Sequence, residues 1–158
     1  MIKDLRIQFL VIFLFSFALY GNTLLHDYAL DDYIVITGNT FTKQGVNGIV
    51  DILTHDAFIG AYGEALELTG GRYRPLSIVM FAVEYEVFGL DPFYGHFVNV
   101  FLFALIGCFV LQFMKQVVHV KKSSLPFVIA LLFVSHPIHT EVVANIKSRD
   151  EILSLFFL

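Results

Sequence analysis

The sequence predicts an all-α polytopic membrane protein. Of its 158 residues, 57% are hydrophobic and only 15% charged, where a soluble domain carries about 25% charged residues. Mean hydropathy is +0.74, and the 18 Phe and 7 Tyr suit lipid better than water as a solvent. The third observation is long stretches without charge, the first lying between Arg6 and His26.

The first span is expected over residues 5–25. A signal peptide is the alternative, but a small-residue cleavage pattern is poor after Tyr20, which favours an uncleaved helix. The second span is expected over 96–116, where only Asn99 and Gln112 interrupt the apolar run Phe97–Met114. A third, over 124–138, begins with an apolar run from Leu125 to Ser135, short against the ~20 residues that cross a bilayer. Either it continues through His136-Pro137-Ile138 or its end sits in a water-filled recess. A fourth, incomplete span is expected over 141–158, and because it stops inside an apolar segment the chain is read as the N-terminal part of a longer protein.

Lys and Arg in short loops orient such spans. Lys3 and Arg6 flank the first, and Lys115, Lys121 and Lys122 mark the turn between the second and third. With both groups on the cytoplasmic side, residues 26–95 form a large external loop, and the stretch from His136 to Asp150 shares that side. The loop holds ten carboxylates against Lys43, Arg72 and Arg74, in keeping with an external position. Two helices are expected to lie in the membrane interface. One carries Val46, Ile49, Val50 and Leu53 on a single face, with packing on its neighbours as the alternative. The other runs from Pro75 to Phe88, with Pro in the first turn and Gly89 at the end; its Glu84 and Glu86 argue against a span.

Neither Cys108, the single cysteine, nor the net charge of -4 offers a function. Cys108 lies in an apolar run and reads as a packing residue with no disulfide partner. The charge gives no basis for a nucleic-acid partner.

Three polar clusters carry candidate chemistry. Asp31 and Asp32 follow the first span; adjacent carboxylates suit a base acting on a hydroxyl or a divalent-cation site, with a solvated acidic turn as the plain alternative. Arg72 and Arg74 precede a helix start, where an anion such as a lipid phosphate is favoured; headgroup anchoring and pairing with loop acids are the alternatives. In the third cluster, a helix from Thr140 aligns Glu141, Asn145, Ser148 and Arg149 on one face, as a polar site or as a Glu141–Arg149 network tying helices together. His136 and His139 beside Pro137 are a weak zinc signal. The topology brings all three clusters to one side of the membrane.

Taken together, Tyr28-Ala29-Leu30-Asp31-Asp32, Gly70-Gly71-Arg72-Tyr73-Arg74-Pro75-Leu76, Gly89-Leu90-Asp91-Pro92 and His136-Pro137-Ile138-His139-Thr140-Glu141 resemble the GT-C membrane glycosyltransferases. The similarity is greatest to the transmembrane and tetratricopeptide-repeat O-mannosyltransferases and their bacterial relatives, and it covers essentially the whole chain. It implies a GT-C-like N-terminal part and a polyprenyl- or dolichyl-phosphate sugar donor. The acceptor would be a hydroxyl of a protein or glycan, on the external or lumenal face of a bacterial inner membrane or an endoplasmic reticulum membrane. The family's acidic motif maps to Asp31 and Asp32 as catalytic residues. Arg72, Arg74 and Arg149 are candidates for the donor phosphate, and His136, His139, Glu141 and Asn145 for the sugar and acceptor site. Family members carry more spans and often a tetratricopeptide array, so this fragment alone is expected to be inactive. A non-catalytic assembly subunit and a transporter module are the competing readings.

Overall fold

The computed structural model describes residues 4–63, 73–117 and 124–158. Arg72, Lys121, Lys122 and the Gly70-Gly71 pair lie outside the described residues. Among those described, the secondary structure is helical with no strand, and two helices are long and apolar enough to cross a membrane. The molecule is an all-α membrane protein.

Helix α1 spans Leu5–Tyr20 and continues as a 3₁₀ turn over Gly21–Leu25. Asp4 caps it by accepting the Arg6 amide at 2.9 Å. Helix α2 covers Ile49–Thr54, α3 Ala57–Tyr62, α4 Pro75–Phe88 and α5 Pro92–Val117. At 26 residues, α5 is about 39 Å long, ample for a ~30 Å hydrocarbon core. Helix α6 runs over Leu125–Ser135, α7 over Thr140–Ala144 and α8 over Arg149–Phe156.

Helices α1 and α5 are antiparallel. Phe13 packs on Phe101 and Phe17 on Phe97, so Arg6 and Lys115 sit at the same end of the pair. Gly107 permits the close approach of α1, α5 and α6: a Cβ there would lie 2.6 Å from Val134 and 2.9 Å from Ile12. Small residues serve this purpose where lipid supplies no hydrophobic drive between helices. The first core is Ile12, Tyr20, Val100, Phe103, Leu111, Phe127, Ala130, Val134 and Val143. Outward-facing Leu10, Leu14, Phe109 and Phe113 are exposed, as a lipid-facing surface requires.

A second core joins the 26–95 loop to Ile146 and gathers Val35, Ile36, Ile52, Ala57, Ile78, Phe81, Ala82 and Ile146. Fully buried Asn39 organises it. Its amide donates to the Ile34 and Ala57 carbonyls, and its oxygen accepts from Phe41 and Thr42. Of the anticipated apolar stripe, Val46, Val50 and Leu53 are exposed and Ile52 packs inward instead. Three of the four stripe residues thus face away from the second core, while Ile49 is half-buried. Helix α4 begins at Pro75 and ends at Gly89, whose φ is +69°, a value glycine adopts freely.

The helix expected to run unbroken from Thr140 is interrupted. Pro137 lacks an N–H and pushes His136 to an extended conformation, so α6 and the Pro137–Ala144 segment meet at 46°. Asn145 is also extended, because the backbone around it is claimed from outside. The Asn99 amide donates to the carbonyls of Asn145 and Ile146, and the Lys147 N–H turns to Asp32. A 3₁₀ turn over Ile146–Ser148 then leads into α8. Glu141 and Arg149 consequently share no helix face.

Candidate functional site

Asp31 and Asp32 occupy a tight turn after the first span, and they differ sharply. Asp32 is fully buried. One of its oxygens accepts the Ala29 amide at 2.8 Å and the other the Lys147 amide at 2.8 Å. Burial raises its pKa above the usual carboxylate value, against the two amide bonds and with the Asp31 charge adding to the rise. Asp31 is open to solvent, with a carboxylate oxygen 3.4 Å from the Lys147 ammonium. Tyr28 is pushed up to about 12, first by burial and then by Asp32 and other nearby acids.

Lys147 lines a cleft of about 250 Å³ together with Arg74, Ser77 and Asp150 over an apolar wall of Ile34, Val35, Ala57, Phe58 and Ile78. Arg74 stands just ahead of α4 and donates to Asp150 at 2.5 Å. A second cleft, of about 330 Å³, shares Arg74, Ser77 and Asp150 and is walled by Pro75, Leu76, Leu153 and Phe157. The Arg74–Asp150 pair therefore stands between two apolar-walled recesses. Its partial exposure makes it cheap to open.

Arg149 is fully buried. Its guanidinium holds both oxygens of Glu84, donates to the Asn99 side chain at 2.9 Å and to the Gly95 carbonyl at 3.1 Å, and lies 4.4 Å from the centre of the Phe81 ring. Every arm of the fork is engaged, so the expectation that Arg149 grips a donor phosphate does not fit. Its partner is Glu84 rather than Glu141. Glu84 has its pKa raised by burial, opposed by Arg149.

The histidines are not among the residues lining either cleft. His139 packs between Phe103 and Phe133, with ring centres 5.2 and 4.6 Å apart. His136 accepts the Ile138 amide through Nδ1. Glu141 is exposed and Asn145 holds a buried side-chain oxygen that lacks a hydrogen-bond partner. Among the described residues no group of three or more His, Cys, Asp or Glu is arranged to hold a metal. Each oxygen of Asp32 accepts one amide hydrogen bond, which leaves Asp31 as the more open carboxylate of the pair.

Sequence reasoning passed over Lys147. The only signal was its place in the polar run from Asn145 to Glu151, where the arginine drew attention first.

The human protein O-mannosyl-transferase TMTC1 is 38% identical over 140 residues, covering 88% of this chain and 16% of the relative. The mouse protein O-mannosyl-transferase TMTC2 is 36% identical over 149 residues, 89% of this chain and 16% of the relative. This chain is a relative of the protein O-mannosyl-transferases. A Caenorhabditis elegans protein O-mannosyl-transferase, F38B6.6, is more distant at 27% identity over 134 residues, 83% of this chain and 19% of the relative. The chain thus spans about a sixth of the length of these human and mouse O-mannosyl-transferases. No family model and no solved structure matches it.

Proposed function

We propose that this chain forms part of the catalytic face of a multi-pass membrane glycosyltransferase, which moves a sugar from a polyprenyl- or dolichyl-phosphate donor to an acceptor hydroxyl outside the cytoplasm. The observation that carries the reading is the cleft itself. Lys147, Arg74 and Asp150 line it beside an apolar wall, and Asp31 is paired with Lys147, in a chain whose relatives are named protein O-mannosyl-transferases. An isoprenoid phosphate has the same two-part character, an anionic head on an apolar chain.

Asp31 is the exposed carboxylate and acts as the general base. It takes the acceptor hydroxyl proton as the oxygen attacks the anomeric carbon. The bond from that carbon to the phosphate oxygen breaks, and the lipid phosphate leaves with the electron pair. Arg74 is the cation nearest the second, more apolar recess and holds that phosphate. Arg6 and Lys115 share the far end of the α1–α5 pair, and positive charge favours the cytoplasmic side, which supports a cleft on the opposite face.

A transporter would use a helix broken within the membrane, and the bend at His136 is of that kind. Next to that bend His139 packs between Phe103 and Phe133, and the names of the relatives favour the enzyme.

The test is transfer from labelled dolichyl-phosphate mannose by the complete gene product in nanodiscs. Asp31→Asn should lower kcat by about 10²–10⁴-fold, the worth of a general base, while the protein keeps its helical circular dichroism. Transfer at the unaltered rate in Asp31→Asn would end the assignment of Asp31. Cysteines placed at 31 and 121 should label from opposite sides of the membrane with an impermeant maleimide; labelling from one side would overturn the topology.

A further inference from the structure

The two adjacent acids are held so differently that one role cannot serve both. Asp32 is fully buried, and its oxygens bind the amides of Ala29 and Lys147, the second 115 residues away in sequence. That second bond fixes the backbone of Lys147, which lines the cleft and whose ammonium lies 3.4 Å from Asp31. Among the described residues, Lys147 is the one cation that touches both the exposed acid and the cleft. Arg149, two residues on, is spent on Glu84, Asn99 and Gly95.

We infer that Lys147 is a binding residue for the phosphate of a lipid phosphomonoester or phosphodiester, and that Asp32 is a positioning residue which seats it. In the resting site Asp31 and Asp150 balance Lys147 and Arg74. An entering phosphate takes over both cations and leaves Asp31 without its counter-ion, free to accept a proton. The inference rests on the glycosyltransferase reading for the sugar but not for the phosphate, so the two fail separately.

Kinetics of the complete gene product test the catalytic half. Lys147→Met should raise the donor KM about tenfold or more, the cost of losing a charge-assisted hydrogen bond, with the acceptor KM unmoved. Lys147→Arg should restore most of the loss. Asp32→Asn should raise the donor KM in the same way, and the double variant should be no worse than Lys147→Met alone. Additive effects in the double variant would make Asp32 merely structural and overturn its role.

Binding of farnesyl phosphate to the protein in phosphatidylcholine nanodiscs, read by calorimetry, tests the site without any transfer. It should weaken about tenfold in Lys147→Met. Inorganic phosphate should compete only weakly, and phosphatidylglycerol in the nanodisc should leave the affinity within a factor of two or three. Equal binding by wild type and Lys147→Met overturns the inference, as does displacement by inorganic phosphate at comparable concentration or by the anionic phospholipid. Lys147-dependent binding in a protein that transfers no sugar would sink the proposed function and leave this assignment standing.

Discussion

Replacing Arg149 by Met is the sharpest test of how this fold is held. The substitution keeps an unbranched side chain of comparable reach but removes the charge. It deletes two bonds to Glu84, one to Asn99, one to the Gly95 carbonyl and the contact with Phe81. The Glu84 side chain is only 18% exposed, so its carboxylate is stranded. Breaking a buried pair from one side costs about 3–5 kcal/mol, and the orphaned Asn99 oxygen and Gly95 carbonyl keep the loss near the upper end.

The stranded acid has one escape, which is protonation. Burial already holds the Glu84 pKa above its ordinary value with Arg149 present, and loss of the cation pushes it further up. The deficit of Arg149→Met should therefore shrink as the pH falls and grow as it rises through the folded value. Adding Glu84→Gln should recover part of the loss. SDS unfolding in mixed micelles, followed by circular dichroism at several pH values, measures all three. A single variant within about 1 kcal/mol of wild type, or a double variant that loses the sum of the two singles, would refute the network as the tie between α4, α5 and α8.

Two further outcomes follow from the same geometry. Asp32 binds its proton more tightly in the fold than in the unfolded chain, so its contribution to stability is fully present below the ordinary value of 3.8 and is lost as pH rises through the folded value; Asp32→Asn should flatten that slope in unfolding midpoints measured across acid pH. Gly45 has φ +62° and a Cβ there would run into the Glu86 carboxylate, so Gly45→Ala should cost about 1 kcal/mol or more in the same assay, and a neutral result would show that the loop relaxes.

The spans were legible because their signal is collective. Charge-free runs of the right length announced α1 and α5, and Pro75 and Gly89 marked the ends of α4 before any contact was known. The break at Asn145 was not legible. Every residue from Thr140 to Arg149 tolerates a helix, and what diverts the backbone is Asn99 and Asp32, 46 and 115 residues away from their partners. The same holds for Arg149: periodicity offered Glu141 as its partner, whereas the chain delivers Glu84 from a different helix. Local pattern predicts local structure, and long-range polar pairing is invisible to it. Asp31 and Asp32 could be picked out as a pair, but which one is buried depends on the turn at Ala29 and on Lys147.

Those long-range pairs decide more than stability. The core among the spans fixes α5, α6 and α7, and the core of the 26–95 loop fixes the segment after Asp32 and the start of α4. The exposed acid belongs to the second unit, while Lys147 and Asp150 follow on from the first. Neither apolar core alone sets the distance between Asp31 and Lys147. That distance is set at the seam, by Asp32 on the Lys147 amide, by Arg149 reaching Glu84 and Asn99, and by Ile146, which leaves the first unit to pack in the second core. Buried polar contacts add little net stability over well-packed apolar ones, but they are directional, and a site that must hold an acid and a cation a few ångströms apart depends on direction more than on depth of burial.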